Sequence, residues 1–301
     1  MLLLTAFILL SAFSCGTNNN KTNSVQEPEK NITVKAPQFD ADSAYKYIQA
    51  QVDFGPRNPN SKGHAACGEY LATKLAEHGA KVTNQNVELP AYDGTLLKAR
   101  NIIGSFKPES KKRIALFAHW DTRPWADNDP NEKNHHTPIL GANDGASGVG
   151  VLLEIARLIN QQQPELGIDI IFLDAEDYGA PQFYKGEHLE EQWCLGAQYW
   201  ARNPHVEGYN ARFGILLDMV GGKDATFFKE VYSEKFARGI NKRYGRRLTT
   251  LATDVTLLTK QVARSLTTIC LSIGWPVSRL STSFRTTKIV NCPVSDRLGI
   301  P

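Results

Sequence analysis

At 301 residues, with 42% hydrophobic and 22% charged residues, the chain has an ordinary globular composition and is long enough for one large or two small domains. That excludes a disordered, collagen-like or disulfide-stapled miniature fold, and no apolar run reaches the roughly 18 residues of a membrane-spanning helix. The net charge of +3 hides an asymmetry: residues 1–242 sum to −4 and residues 243–301 to +7, with Asp254 and Asp296 the only acids of that last stretch.

Met1 to Phe13 is almost wholly apolar, and Cys15 follows Ser14 directly. This is the pattern of a lipoprotein-type signal over residues 1–15, so the chain is read as exported, to the periplasm or as an outer-membrane lipoprotein of a bacterium with a lipid anchor on Cys15. Residues 16–36 are polar and read as a tether. An α/β catalytic domain is expected over residues 37–242. Its first helix runs from a cap at Asp42 or Ser43 to about Val52 and stops at Phe54-Gly55-Pro56-Arg57. Lys62 to His78 has apolar residues at helical spacing (Ala66, Tyr70, Leu71, Leu75) and ends at Gly79. Val82 to Leu89 and Leu97 to Phe106 read as strands, and Arg113 to Ala118 as a buried central strand. Gly148 to Asn160 reads as a helix, Ile168 to Leu173 and Phe213 to Met219 as strands. Strand and helix alternate, which predicts a mostly parallel central sheet with helices on both faces. Cys67 and Cys194 could pair only if the fold brought them together.

Polar residues fall at strand ends. His119 and Asp121 follow the strand 113–118, Glu176 and Asp177 follow 168–173, and Asp218 sits near the end of 213–219. Asp144 lies in the turn Gly141-Ala142-Asn143-Asp144-Gly145, just before a helix. Ligands collect at the carboxyl ends of strands in open α/β sheets. Several acids on one edge repel each other and resist desolvation unless a cation sits among them, and one His with several carboxylates suits Zn2+. Taken singly, a turn Asp or a strand-end Asp is usually a turn or cap residue; the weight lies in their joint placement.

The stretches Ala118-His119-Trp120-Asp121, Gly141 to Gly148, Asp174-Ala175-Glu176-Asp177 and Leu217-Asp218 resemble the zinc aminopeptidase superfamily. Ala118–Asp127 and Trp193–Pro204 resemble bacterial glutaminyl-peptide cyclotransferase in particular. The resemblance implies a single-zinc acyltransferase that cyclises an N-terminal glutamine to pyroglutamate and releases ammonia, acting on peptides or proteins with N-terminal Gln. It implies Asp144 and Asp177 as zinc ligands, Glu176 as the proton shuttle and Asp218 as a second acid positioning it. Trp125 and Trp193 are candidate pocket walls, and Trp120 and Trp200 fit either that family or simple core packing. A two-zinc aminopeptidase of the same fold would also use His119, and an inactive binding protein is a third reading.

Both families complete their zinc site with a C-terminal His, yet the last of the seven histidines here is His205. Reading residues 243–301 in a shifted frame, from the third base of each codon, permits Asp-Asp-His at 266–269, Asn-Arg-Leu-Ala-Gly-Ile-Pro-Ser-Ile-Asp-Ile-Ile at 273–284 and Trp-His-Thr at 298–301. These resemble the family's missing acid, strand and zinc-binding His. The tail therefore reads as out of frame after about Lys242, the catalytic domain as lacking its last strands, and the chain as written as inactive. The basic tail is then an accident of frame, and no nucleic-acid partner is expected.

Overall fold

The computed structural model describes residues 36–223 together with 227–230, 233, 237–240, 242, 258–262 and 286–291. The signal, the cysteine at its end and the tether up to residue 35 lie outside the described residues, as do the shifted-frame words of the tail. Among the described residues no helix is long and apolar enough to cross a membrane.

Helix α1 (Ala41–Asp53) is capped by the Asp40 carboxylate, which accepts the Ser43 N–H at 3.1 Å. Helix α2 (Lys62–Glu77) is capped by Ser61, which accepts the His64 N–H at 3.0 Å. Both caps satisfy donors that the first helical turn leaves unpaired. Strands β1 (Lys81–Pro90), β2 (Leu96–Phe106) and β3 (Arg113–His119) follow. Then come α3 (Ala146–Gln162), β4 (Gly167–Leu173), α4 (Leu195–Arg202) and β5 (Gly214–Asp218). Strands β6 (Phe227–Glu230), β7 (Leu258–Val262) and β8 (Thr286–Asn291) complete the sheet, whose order is β1-β2-β4-β3-β5-β8-β6-β7.

The α/β class is as expected, but the sheet is mixed rather than mostly parallel. Strands β4, β3, β5 and β8 run parallel to one another and β6 is parallel to β7. β1 with β2, β2 with β4, and β6 with β8 are antiparallel. The reason is local: only a short turn separates Pro90 from Leu96, too little chain for a crossover, so β1 and β2 form a hairpin. Strands β7 and β8 lie within residues 243–301, the stretch read above as out of frame.

The central strands are apolar on both faces because each face carries a helical layer. Ile102, Leu116, Ile170 and Phe172 pack with Leu71, Leu75, Leu152 and Leu153 of α2 and α3. Their neighbours Ile103, Phe117, Ile171 and Leu173 turn the other way and pack with Ala197 and Trp200 of α4. Cys67 belongs to the first cluster and Cys194 to the second, and no disulfide joins them. Trp120 and Trp200 are fully buried in these two clusters, which makes them core residues.

Candidate metal centre

The carboxyl ends of β3, β4 and β5 meet at His119, which is fully buried. Its Nε2 lies 2.7 Å from Asp144 Oδ1 and 3.5 Å from Asp218 Oδ1, and its Nδ1 lies 3.6 Å from Asp121 Oδ1. Two donor groups share this ring, one of His119, Asp144 and Asp177, the other of His119, Glu176 and Asp218, with the ligand atoms of each within 4.8 Å of one another. The structure thus brings together every strand-end residue singled out above. His119 stands in both groups, whereas the single-zinc reading left it out.

The segment bearing Glu176 and Asp177 is held from three sides. Ala175 adopts a left-handed backbone (φ +50°), turning the chain sharply off β4. The first amides of the α4 region close that turn: Cys194 N–H donates to the Glu176 carbonyl (2.9 Å), Leu195 N–H to Ala175 (2.9 Å) and Gly196 N–H to Asp174 (3.0 Å). Asp121, fully buried, accepts the Glu176 N–H at 3.0 Å and the Asp177 N–H at 3.1 Å, one on each oxygen. One carboxylate therefore orients two adjacent acids, leaving Asp177 in one donor group and Glu176 in the other.

Asp144 is set by the turn before α3. Ser147 Oγ donates to the Asn143 carbonyl (2.5 Å) and accepts the Val220 N–H (3.0 Å), while Asn143 Oδ1 accepts the Gly221 N–H (2.9 Å). This ties the turn to the end of β5. Gly145 is required by close approach, since a Cβ there would lie 2.7 Å from the His119 ring nitrogen.

The electrostatics are strongly perturbed. Burial pushes the Asp177 carboxyl well above the usual carboxylate range, and the neighbouring charge of Asp144 pushes it further. Burial opposes a charge on His119, but the charge of Glu176, the hydrogen bond to Asp144 and the nearby carboxylates of Asp121 and Asp218 win and raise it well above the usual imidazole range. Burial would raise Asp121 too, but His119 and the two amides hold it low. Asp177 Oδ2 is shielded from solvent with no hydrogen-bond partner among the described residues. A shielded oxygen without a partner, crowded by like charge, is what a bound cation would satisfy. One imidazole nitrogen with carboxylate oxygens fits Zn2+.

Trp125 and Trp193 flank Arg123, whose guanidinium carbon lies 5.5 Å and 4.6 Å from their ring centroids. Arg123 also pairs with Asp127 through two contacts and donates to the carbonyls of Asp177 (2.9 Å) and Gly179 (3.2 Å). The two tryptophans are thus linked to the Asp177 segment through one cation. Trp125 continues into an aromatic group with Tyr178 (5.1 Å), Tyr92 (5.9 Å) and Phe183 (6.5 Å). Sequence reasoning noted Asp121 as a strand-end acid but gave it no role, and missed Arg123; the His-x-Asp spacing was the available signal for the first.

A model of peptidase family M28 matches residues 101–268. A solved structure of a leucine aminopeptidase precursor from Bacteroides thetaiotaomicron is 66% identical, with TM-score 0.81 over 86% of this chain and 87% of that one. The glutaminyl cyclase of the same organism, solved with N-acetylhistamine, is 65% identical, with TM-score 0.81 over 89% of each chain. The glutaminyl-peptide cyclotransferase of Drosophila melanogaster is 24% identical over 185 residues, covering 58% of this chain and 47% of that protein. The chain spans between a third and a half of the length of the curated relatives it matches.

Proposed function

From the premise that the chain belongs to peptidase family M28, we propose that it is a zinc-dependent glutaminyl-peptide cyclotransferase acting on peptides with N-terminal Gln. The observation that carries this reading is the arrangement around His119. Asp121 fixes the backbone of two neighbouring acids, so that Asp177 joins one donor group and Glu176 the other. The 65% identity to a glutaminyl cyclase supports it.

Asp144 and Asp177 would hold the ion, with His119 the nitrogen donor among the described residues. When bound, zinc supplies Lewis acidity toward an amide carbonyl. The chain's own residues do the rest. Glu176, 8% exposed, takes a proton from the substrate α-amine, whose nitrogen forms the new bond to the side-chain amide carbon. The bond from that carbon to the amide nitrogen breaks, and Glu176 returns the proton so that ammonia leaves. Asp218, 3.5 Å from His119 and in the same donor group as Glu176, would position the shuttle. The cyclisation is intramolecular, so holding the amine over the amide supplies much of the acceleration. No activated water is consumed.

The competing reading, a two-zinc aminopeptidase, rests on a specific observation: two donor groups of three residues lie side by side at this edge. Incubating the frame-restored protein with an N-terminal Gln peptide and with a Leu anilide separates the two. Ammonia release from the first supports the cyclase; anilide release without cyclisation overturns it.

Two further expectations belong to this reading. Residues 1–15 direct export with a lipid on Cys15, which radiolabelled palmitate incorporation would test; an unlabelled mature protein would count against it. The reading frame slips near Lys242–Arg243, as a sequencing error or in a pseudogene. The gene's nucleotide sequence decides: if no alternative frame encodes Trp-His across residues 298–300, the slip is refuted.

A further inference from the structure

Arg57, in the loop after α1, is fully buried, and among the described residues it makes no ion pair. Its guanidinium contacts are all backbone carbonyls. Nε donates to Trp120 (3.2 Å), Nη1 to Gln51 (3.3 Å), Gly55 (3.4 Å) and Leu140 (2.8 Å), and Nη2 to Gly141 (2.9 Å). Its own N–H donates to Thr122 Oγ1 at 2.8 Å. Taking a cation out of water is costly, and such groups are retained where their geometry does something a neutral residue cannot. Here the fork joins the end of α1, the exit from β3 and the start of the turn that carries Asp144.

Gly141 is the joint. It has φ +58°, and a Cβ there would overlap the Asp144 carbonyl and the Thr122 methyl and lie 3.2 Å from Arg57 Nη2. Arg57, Thr122 and the Asp144 backbone therefore close around one residue with no space left. The Asp144 side chain is 36% exposed, against 9% for Asp218. Beyond its 2.7 Å contact with His119, the more exposed Asp144 side chain is placed by the turn that carries it.

We propose that Arg57 is a positioning residue for Asp144, fixing the Gly141–Asp144 turn and thereby setting the affinity of the site for a divalent cation. This rests on the metal reading given above. Lysine keeps the charge but cannot reach several carbonyls in fixed directions, so Arg57→Lys isolates the fork from the charge.

The test uses full-length protein expressed from its own gene, the Arg57→Lys variant, and Arg113→Lys as a control. Arg113 pairs with Asp169 through Nε (2.6 Å) and Nη2 (3.1 Å) at the start of β3, away from the site. Zinc affinity is measured against a competing chelator, the visible spectrum after cobalt substitution, and stability by denaturant. Arg57→Lys is expected to lose about tenfold in zinc affinity, as supporting partners of metal ligands do, and to change the cobalt spectrum. Arg113→Lys is expected to lose stability with the spectrum unchanged. An Arg57→Lys protein that folds with zinc affinity within twofold and an identical spectrum overturns the proposal. If that variant does not fold, Thr122→Val, which removes the acceptor of the Arg57 N–H, takes its place, and an unchanged spectrum and affinity there also overturns it. Wild-type protein that binds neither metal sinks the metal reading instead.

Discussion

Replacing Asp121 by Asn is the most informative single change, because it alters charge and bonding without altering shape. Asp121 is fully buried, accepts both the Glu176 and Asp177 amides, and lies 3.6 Å from His119 Nδ1. Asn offers one acceptor oxygen, so one amide must face an NH2 donor. A hydrogen bond to a charged group is worth about 1.5–3 kcal/mol. Losing one and weakening the other predicts roughly 2–4 kcal/mol of destabilisation, a large part of the about 5–15 kcal/mol a domain has. With zinc present, unfolding by urea should show a lower midpoint and an unchanged slope. In chelator the loss should be smaller, because removing one negative charge relieves the crowding that raises Asp177. Turnover should fall in kcat more than in KM, since the acids are misplaced while the pocket walls remain. A change below about 0.5 kcal/mol in zinc with kcat intact would refute the claim that Asp121 orients the pair, since that is the size of a neutral surface substitution.

Glu176→Gln should keep zinc affinity and lower kcat by roughly 100- to 10,000-fold, the range for losing a general acid–base; steady-state kinetics beside a chelator competition would show it. Burial would raise the Asp127 carboxyl, but the Arg123 guanidinium holds it below its ordinary range. That contribution is present above about pH 3.9, the unfolded value, and is lost as pH falls through the lower folded value. Asp127→Asn should therefore destabilise by about 3 kcal/mol at pH 7, with the gap to wild type closing in acid. A gap independent of pH would contradict the pair. Trp193→Ala should raise KM for Gln peptides with little change in kcat; the reverse would place Trp193 outside the pocket wall.

Much of the scaffold was legible because its signals are local. The periodicity of Lys62 to His78 marks a helix that the structure places at Lys62–Glu77. The apolar run after Arg113 marks β3, and the strand-end acids mark the edge where the site forms. The direction of β1 and β2 was less legible, because side-chain alternation is the same in parallel and antiparallel strands. Arg57 and Arg123 were invisible because nothing in Pro56-Arg57 or Thr122-Arg123-Pro124 distinguishes a solvated arginine from one buried among carbonyls. The role of Asp121 was hidden because its partners are backbone amides more than fifty residues away. Helix α4 was not read as an element, because Leu195–Arg202 spans barely two turns, too short for a periodic signal.

The central claim is that the acids gathered at His119 hold a divalent ion that the chemistry requires. Turnover of an N-terminal Gln peptide by the frame-restored protein, followed by ammonia release before and after dialysis against a strong chelator, tests it most directly. Activity is expected to disappear with the metal and to return on adding about one equivalent of zinc. Undiminished turnover by metal-free protein would contradict it.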